Sequence, residues 1–386
     1  MRVDRDYIVE TLAGLVRTNS INPAFSDGST DERALAGQAA RELERLGMTA
    51  ELHEARPGRA SVLGRLPGAG GGRSLLLYAH LDTVGVEGMA DPFSAEVRDG
   101  RMYGRGAYDM KCGLAAILGA VKALRDGGVR LRGDLLVAGV ADEETESSGV
   151  EDLLARGVTA DAAIVTEPTE MRLCVAHKGF CWIEVETLGR AAHGSRFEEG
   201  IDANVRMGRV LARLDGLERR LRTSPPHPLV GPPSLHAPVI RGGTGTSTYA
   251  AHCRLEIERR MVPGETEAGV VGEVRAITDA LAAEDATFRA TVRPFLTRGS
   301  FETSPDAPVA RAVRAAAAAV VGAEPEVFGA PFWMDSALLA ERGIETVVFG
   351  PTGGGAHAEV EWVELDSVVQ VADVLARAAA EYCGTV

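Results

Sequence analysis

Apolar residues in the first part of the chain alternate between uninterrupted runs and helically spaced patterns. Three runs predict strands that are buried on both faces, at residues 75–78, 134–140 and 162–165. Before the first run, helical spacing predicts a helix over 30–46, which would begin with a capping box of Ser29 and Glu32. A second helix, largely buried, is predicted over 113–125. Strands that alternate with helices predict an α/β fold with helices on both faces of the sheet.

The pattern changes near Gly179. Residues 182–188 alternate, with Glu184 and Glu186 on the polar face, which is typical of a half-exposed strand. The elements predicted next are a helix over 201–221, strands over 236–241 and 252–260, a helix over 265–282 and a strand over 287–295. This β-α-β-β-α-β order is that of a ferredoxin-like unit. We therefore predict an inserted domain at 180–294, within an α/β domain formed by 1–179 and 295–386.

Composition limits the range of partners. The 386 residues include 41 Lys and Arg against 55 Asp and Glu, a formal net charge of −14. No nucleic-acid partner is expected, because a phosphate-binding face needs clustered Lys and Arg. We also expect neither a secretory signal nor a membrane span, since the apolar stretch 315–321 is too short to cross a bilayer. Five widely spaced cysteines without a CxxC pair predict reduced thiols in a cytoplasmic protein.

Acids and histidines follow the predicted strands. The sequence lacks GxSxG, HExxH and P-loop motifs, and the candidate residues are instead His80, Asp82, Asp109, Glu143, Glu144, Glu167 and His357. We expect all of their segments to end strands of one parallel sheet and to meet at the edge where α/β sheets bind ligands. Five carboxylates gathered there would repel one another without a countercharge. Divalent metal ions supply one, and ligands of these types suit zinc, with cobalt and manganese as alternatives.

Each candidate also has an ordinary explanation. His80 or His357, taken alone, could be an ordinary polar residue that binds no metal. Asp109 could be the N-cap of the helix that follows it. Glu143 and Glu144 could form a solvated turn. Their joint occurrence after apolar runs favours the metal centre.

Seven segments resemble the M20 metallopeptidases, the family of acetylornithine deacetylase, succinyl-diaminopimelate desuccinylase, aminoacylase and glutamate carboxypeptidase. They are YAHLDTV (78–84), GRGAYDMKCG (104–113), ADEETESSG (141–149), VTEP (165–168), AAHGSRFEEGIDAN (191–204), ERRMVPGE (258–265) and GPTGGGAHAEVEWV (350–363). They occur in the family's order and cover nearly the whole chain. The resemblance implies a di-zinc aminopeptidase-like catalytic domain, with helices on both faces of a mixed sheet. It also implies an inserted ferredoxin-like domain for dimerisation or as a lid.

Carried over residue by residue, the resemblance implies a centre of two divalent metal ions. Asp109 would bridge both ions. His80 and Glu167 would complete one site, and Glu144 and His357 would complete the other.

Two further acids have implied roles beside the metals. Asp82 would accept a hydrogen bond from His80 and fix its tautomer. Glu143 would be the general base, which takes a proton from water as the water attacks an amide carbonyl. Neighbouring side chains diverge on an extended segment, so Glu143 can serve as base while Glu144 binds metal.

Two residues of the predicted insertion match positions that contact substrate in the family. His193 would donate to the oxyanion of the tetrahedral intermediate, often from the partner subunit, although it could be a surface loop histidine. Arg260 would bind a substrate carboxylate, and the alternative is a strand-end arginine paired with Glu258 or Glu265.

The sequence departs from the family pattern at GGTGTSTYA. Ser247 stands where the family has Asn, and Ala250 stands where it has Pro. A hydroxyl therefore replaces the amide donor or the donor is missing, which leaves the exact substrate open.

These inferences predict a cytoplasmic, homodimeric metallohydrolase that removes the acyl group of an N-acyl amino acid, similar to acetylornithine deacetylase. A dipeptidase or carboxypeptidase of the same family is the nearest alternative, because its products also carry a free carboxylate. A non-catalytic binding protein on the same fold is a more distant alternative. Relatives that have lost activity are expected to lack metal ligands or the base, and none of the seven centre residues is missing here.

Overall fold

The computed structural model describes residues 2–386, which divide into two compact units. The first unit runs to Val175 and resumes over Thr303–Phe328 and Met334–Val386. The second unit covers Ala176–Glu302 and Gly329–Trp333.

Helices and strands alternate through much of the described chain. The helices are α1 (Arg5–Arg17), α2 (Arg33–Arg45), α3 (Lys111–Asp126), α4 (Ser148–Ala155), α5 (Ala203–Thr223), α6 (Glu267–Glu284), α7 (Pro308–Val321), α8 (Ser336–Glu341) and α9 (Leu365–Cys383), with a 3-10 turn at Pro23–Phe25. The strands are β1 (Thr49–Arg56), β2 (Arg59–Leu66), β3 (Leu75–His80), β4 (Glu96–Arg98), β5 (Arg101–Tyr103), β6 (Leu135–Val140), β7 (Ala162–Val165), β8 (Leu173–His177), β9 (Gly179–Leu188), β10 (Ser234–Gly242), β11 (His252–Met261), β12 (Arg289–Arg298), β13 (Phe301–Glu302), β14 (Val327–Ala330), β15 (Glu345–Val348), β16 (Gly353–Gly354) and β17 (Trp362–Glu364).

The first unit is built on a mixed sheet in the order β1-β2-β6-β3-β7-β15-β8. Its centre, β6-β3-β7-β15, is parallel, with Leu75 opposite both Leu135 and Ala162. The pairs that flank this centre are antiparallel. Every residue of β3, β6 and β7 is buried, so both faces of the central strands are covered. The predicted α/β fold is confirmed, and the three apolar runs are its central strands.

Both helices predicted in the first unit, α2 and α3, are present, but the predicted N-cap of α2 is not. Helix α3 is buried almost all round and packs against α1, α9 and β3. Helix α2 begins at Arg33, and its N-cap residue Glu32 makes no capping hydrogen bond with its side chain. The predicted capping box is therefore wrong. The Glu32 carboxylate instead binds Arg59 at 2.7 Å, and the Ser29 hydroxyl donates to the Ser26 carbonyl.

A separate antiparallel sheet has the order β16-β17-β5-β4, and its strands β4 and β5 precede α3 in the sequence. Tyr103 of β5 pairs with Trp362 of β17. The segment that carries Asp109 follows β5 and not a strand of the large sheet. The expectation that all candidate segments end strands of one parallel sheet is therefore wrong for Asp109.

The second unit contains the elements β9-α5-β10-β11-α6-β12, and its sheet has the antiparallel order β10-β11-β9-β12. One face of this sheet packs against α5 and α6 around a core that includes Ile183, Val185 and Leu255. Glu184 lies on the opposite face as predicted. It is nevertheless buried, because Arg254 and Arg293 pair with it from the neighbouring strands.

The structure also bears on the expectations about membrane spans and cysteines. Within residues 2–386 no helix is both long and apolar enough to cross a membrane. All five cysteines are buried, and no disulfide joins any two of them.

Candidate metal centre

The predicted acids and histidines of the first unit converge in one place. They come from the end of β3 (His80, Asp82), the turn after β6 (Glu143, Glu144), the residues after β7 (Glu167), the segment before α3 (Asp109) and the loop between β16 and β17, which follow β15 (His357). Since β3, β6, β7 and β15 are parallel neighbours, their carboxyl ends share one edge of the sheet. Asp109 lies two residues before the start of α3 and meets the histidines of this edge.

Asp109 lies between the two histidines. Its Oδ1 is 3.1 Å from Nε2 of His80, and its Oδ2 is 3.4 Å from Nε2 of His357. The same nitrogen of His357 is 3.1 Å from Oε2 of Glu144. Nε2 of His80 is 3.7 Å from Oε1 of Glu167. One carboxylate oxygen thus faces each histidine, which is the arrangement of a bridging ligand.

The ligand atoms are close enough to share cations. Those of His80, Asp109 and Glu144 lie within 4.8 Å of one another, and so do those of His80, Glu143 and Glu167. The second group includes Glu143, the residue expected to act as base, so geometry alone permits it to be a ligand.

The site is electrostatically strained without a countercharge. Burial raises the pKa of Glu143 and Glu167 well above the usual range, and it also raises the pKa of Glu144. Burial also acts to raise the pKa of Asp109. Hydrogen bonds with His357 and His80 outweigh it, so the pKa of Asp109 lies below its usual range. Hydrogen bonds with Asp109 and Glu144 raise the pKa of His357 to about 10. Carboxylates and imidazoles here favour each other's charged forms.

Two buried oxygens of the centre have no hydrogen-bond partner among the described residues, Oε1 of Glu144 and Oε1 of Glu167. An unsatisfied buried carboxylate oxygen is costly. Divalent cations would satisfy both oxygens and the lone pairs of the facing imidazoles. The residues present therefore fit a metal centre.

Asp82 supports the centre from behind. Its carboxylate accepts the backbone N–H groups of Glu143 and Glu144, each at 3.1 Å, and the side-chain amide of Asn22 at 2.8 Å. The nearest partner of His80 Nδ1 is the main-chain carbonyl of Asp82 at 3.0 Å, while the carboxylate lies 3.7 Å away. A proton on Nδ1 leaves the lone pair of Nε2 directed at Asp109, as a metal ligand requires.

Glu361 and Arg105 contact the segments that carry Asp109 and His357, and neither residue was singled out from the sequence. Glu361 is fully buried and accepts from the backbone N–H groups of Gly106, Tyr108 and Asp109. Arg105 donates to Glu361 at 2.7 Å. The sequence does contain one indication of Glu361: it lies four residues after His357, within a segment that resembles the family.

Two other polar groups, one partly and one fully buried, also escaped sequence reasoning. Arg59 donates to both Asn22 and Glu32, behind Asp82. Tyr78, two residues before His80, donates to Asp335, whose pKa burial raises to about 6. No local motif marks them, because their partners are distant in sequence.

The three remaining candidates lie in the second unit. His193 is exposed in a loop that pairs with Thr248, and its Nδ1 is 2.9 Å from the hydroxyl of Ser195. The carbonyl of Ser247 accepts the N–H of Gly194 at 2.7 Å, so the loops of His193 and Ser247 are neighbours.

Arg260 is the penultimate residue of β11. Its Nε lies 2.6 Å from Oε1 of Glu258, one of the two partners that the sequence suggested. The other one, Glu265, pairs instead with the buried Arg259.

Comparison with known proteins agrees with the fold and the site. The model of "Peptidase family M20/M25/M40" matches residues 76–381. The chain belongs to this family, and it is a metal-dependent hydrolase that acts on C–N amide bonds. The resemblance found in the motifs is thus confirmed, and the non-catalytic alternative no longer applies.

Individual relatives differ in what they act on. The chain is 32% identical to an acetylornithine deacetylase of Myxococcus xanthus over 364 residues, which cover 91% of this chain and 92% of the relative. It is 28% identical to an N-formyl-4-amino-5-aminomethyl-2-methylpyrimidine deformylase of Bacillus subtilis (strain 168), with coverages of 88% and 87%. A tripeptidase structure from Staphylococcus aureus superposes with a TM-score of 0.81 at 18% identity, over 99% of this chain and 100% of that one. The last similarity shows the fold alone.

Proposed function

We propose that this enzyme is a deacylase of N-acyl amino acids that uses two divalent cations. The observation that carries the proposal is Asp109, whose two carboxylate oxygens face His80 and His357 separately. The 32% identity to an acetylornithine deacetylase over nearly the whole chain supports the reaction class. Zinc is the metal we propose, with cobalt and manganese as alternatives, because the donor set combines imidazole and carboxylate.

In the proposed centre, Asp109 would be shared by both cations. His80 and Glu167 would hold one of them, and Glu144 and His357 would hold the other. When bound, the cations would lower the pKa of a water molecule and polarise the substrate carbonyl.

Glu143 carries the proton in the proposed mechanism. Its carboxylate accepts a proton from water as the new bond from oxygen to the carbonyl carbon forms. The same group returns the proton to the nitrogen as the C–N bond breaks, so the products are a carboxylic acid and a free amine. Asp82 positions Glu143 by accepting its backbone N–H at 3.1 Å.

The substrate contacts that we propose lie in the second unit. Arg260 binds the carboxylate of the amino acid, as a guanidinium can do with two hydrogen bonds. His193 donates to the oxyanion of the tetrahedral intermediate. Ser247 would offer a hydroxyl at the position where the family pattern usually has the side-chain amide of Asn.

The second unit also carries our proposal for assembly. We propose that the inserted domain, predicted at 180–294, acts as the lid and the dimerisation domain of a homodimer, and that the enzyme works in the cytoplasm. The five buried cysteines without a disulfide support the compartment.

A substrate panel tests the function. Fully metallated enzyme is assayed with N-acetylornithine and other N-acetyl amino acids, N-succinyl amino acids, dipeptides, and the N-formyl aminomethylpyrimidine named for one relative. We expect kcat/KM for the best N-acyl amino acid to exceed that for dipeptides at least tenfold. The reverse order would favour the dipeptidase or carboxypeptidase alternative. Preference for the pyrimidine would contradict the role of Arg260, because that substrate has no carboxylate.

A further inference from the structure

The sheet of the second unit has one face without a helix, and cations flank an aromatic ring there. Directly opposite residues on antiparallel strands point to the same side of a sheet. Across β11, β9 and β12, the register places Arg260, Phe180 and Arg298 in one row on the face opposite to α5 and α6. The next row holds Glu258, Trp182 and Leu296.

Four aromatic rings cluster on this face. The centroids of Phe180 and Trp182 are 5.2 Å apart, and those of Trp182 and Phe295 are 5.8 Å apart. Trp333 meets Phe180 edge-on at 6.0 Å. Trp182 is 37% exposed and Phe295 is 50% exposed. A contiguous aromatic patch left open in this way is typical of a binding surface.

Cations surround the aromatic cluster. The guanidinium of Arg260 lies 5.6 Å from the centroid of Phe180, and that of Arg298 lies 5.7 Å from the centroid of Trp333. Lys178 is largely buried nearby, and burial together with the charge of Arg260 lowers the pKa of Lys178. The nearest contact of Arg260 with Glu258 is made by Nε, at 2.6 Å. The terminal nitrogens of a guanidinium can bind a carboxylate with two parallel hydrogen bonds.

Farther along the same face the charges neutralise one another. Glu184 pairs with both Arg254 and Arg293, and Glu186 pairs with His252 at 3.2 Å. Arg260 also has a carboxylate partner, Glu258, so the open aromatic rings, and not an excess of charge, distinguish this end of the face.

We propose that Phe180, Trp182, Phe295 and Trp333 form a subsite for an aromatic side chain, so that the preferred substrates are N-acyl aromatic amino acids. The inference rests on the proposed function, in which Arg260 binds the substrate carboxylate. The substrate ring packs against Trp182 and Phe180, where stacking adds to the burial of apolar surface. A cationic side chain such as that of ornithine is disfavoured, because its ammonium group would approach the guanidinium of Arg260 and the ammonium group of Lys178.

The test compares kcat/KM for N-acetyl-L-phenylalanine, N-acetyl-L-ornithine and N-acetyl-L-alanine on the metallated enzyme. We expect the phenylalanine substrate to be favoured over the ornithine substrate by roughly tenfold or more. Trp182→Ala should lower kcat/KM for the phenylalanine substrate roughly tenfold, mainly through KM, and leave the alanine substrate within about twofold. Trp182→Leu keeps apolar bulk without the ring and should show an intermediate loss. Ile240→Ala is the control, since Ile240 is 53% exposed on the same sheet but lies opposite Leu255, on the face toward the helices.

Preference for the ornithine substrate would overturn the proposal, and so would an equal loss on all three substrates in Trp182→Ala. Titration calorimetry with 3-phenylpropionate separates this inference from the proposed function. If no N-acyl amino acid is hydrolysed but 3-phenylpropionate binds wild type and binds Trp182→Ala at least about fivefold more weakly, the subsite stands and the proposed function fails. If 3-phenylpropionate does not bind wild type, the subsite is wrong whatever the enzyme hydrolyses.

Discussion

The carboxylate of Glu361 accepts the backbone N–H of Asp109 at 2.9 Å. It also accepts from Tyr108 at 2.8 Å and from the guanidinium of Arg105 at 2.7 Å. Arg105 in turn donates to the carbonyl of Ala358, beside His357. One buried ion pair therefore fixes both the segment that carries Asp109, the proposed bridging ligand, and the loop that carries His357, a proposed terminal ligand.

We expect Glu361→Gln to weaken metal binding about 10–100-fold, the usual effect of losing a group that orients metal ligands. Glutamine offers one acceptor oxygen where Glu361 uses two, and its amide N–H would face the donors of the loop. Competition with a chromogenic chelator measures the affinity. Glu359→Gln is the matched control, because Glu359 is exposed two residues away. Equal affinities for the two variants would contradict this role for Glu361.

Glu143→Ala should lower kcat by about 10²–10⁴-fold, the range for loss of a general base. Metal content should stay at the wild-type value, because Glu143 is proposed to hold no cation. Metal analysis of the purified variant makes the test strict, since the ligand atoms of His80, Glu143 and Glu167 are also close enough to share an ion. Loss of one metal equivalent would show that Glu143 is a ligand. Glu146→Gln, at an exposed position three residues on, should behave as wild type.

Removing the metals should abolish activity and lower the midpoint of thermal unfolding by roughly 5 °C or more. The physical reason is that Oε1 of Glu144 and Oε1 of Glu167 are then left buried without a partner. Dialysis against a chelator followed by calorimetry measures the shift, and adding zinc, cobalt or manganese back identifies which ion restores turnover. Asp109→Asn should bind metal weakly at both sites, so its midpoint should hardly respond to the chelator. Full activity in the metal-depleted wild type would exclude the metal mechanism.

The parts of the fold that could be predicted are those in which local pattern and tertiary environment agree. Strands β3, β6 and β7 are apolar at every position and buried at every position, so their runs identify them. Local pattern failed where a distant residue competes for a side chain. Glu32 had the spacing of a capping box, yet Arg59, 27 residues away, takes its carboxylate.

The same distinction applies to the candidate site. Metal ligands could be proposed from the sequence because each follows a strand or precedes a helix within a recognisable motif. The groups that hold them in place could not, because their chemistry depends on contacts across the chain. Glu361 and Asp109 are 252 residues apart, and Tyr78 and Asp335 are 257 apart. Alternation likewise predicts an exposed Glu184, and only the cross-strand arginines explain its burial.

The pH dependence of stability should include a contribution from Glu32. Burial, together with the charge of Asp82, raises the pKa of Glu32 to about 8, although Arg59 opposes the shift. Between the unfolded value near 4.5 and this folded value, the folded state binds more protons than the unfolded state. Stability should therefore fall as pH rises from about 5 to 8, by up to about 1.4 kcal/mol per pH unit.

Glu32→Gln should remove that contribution, because the amide keeps an acceptor for Arg59 and carries no charge. Thermal midpoints of both proteins across pH 5–8, at constant metal, provide the measurement, and the variant should gain on wild type as pH rises. Glu54→Gln serves as the control, since Glu54 is an exposed glutamate beside Arg33. A difference between wild type and Glu32→Gln that does not grow with pH would contradict the assignment.

If His193 acts in the partner subunit's site, activity should return when two inactive variants are mixed. In a heterodimer of His193→Ala and Glu143→Ala, one site combines an intact Glu143 with the intact His193 of the other protomer, and the second site has neither. Random exchange makes half of the dimers mixed, so activity should recover to roughly one quarter of wild type. Mixing His193→Ala with a double variant that lacks both groups supplies no intact His193 and should recover nothing. Native mass spectrometry verifies exchange, and heterodimers that form without activity would mean that His193 serves its own subunit or has no part in the reaction.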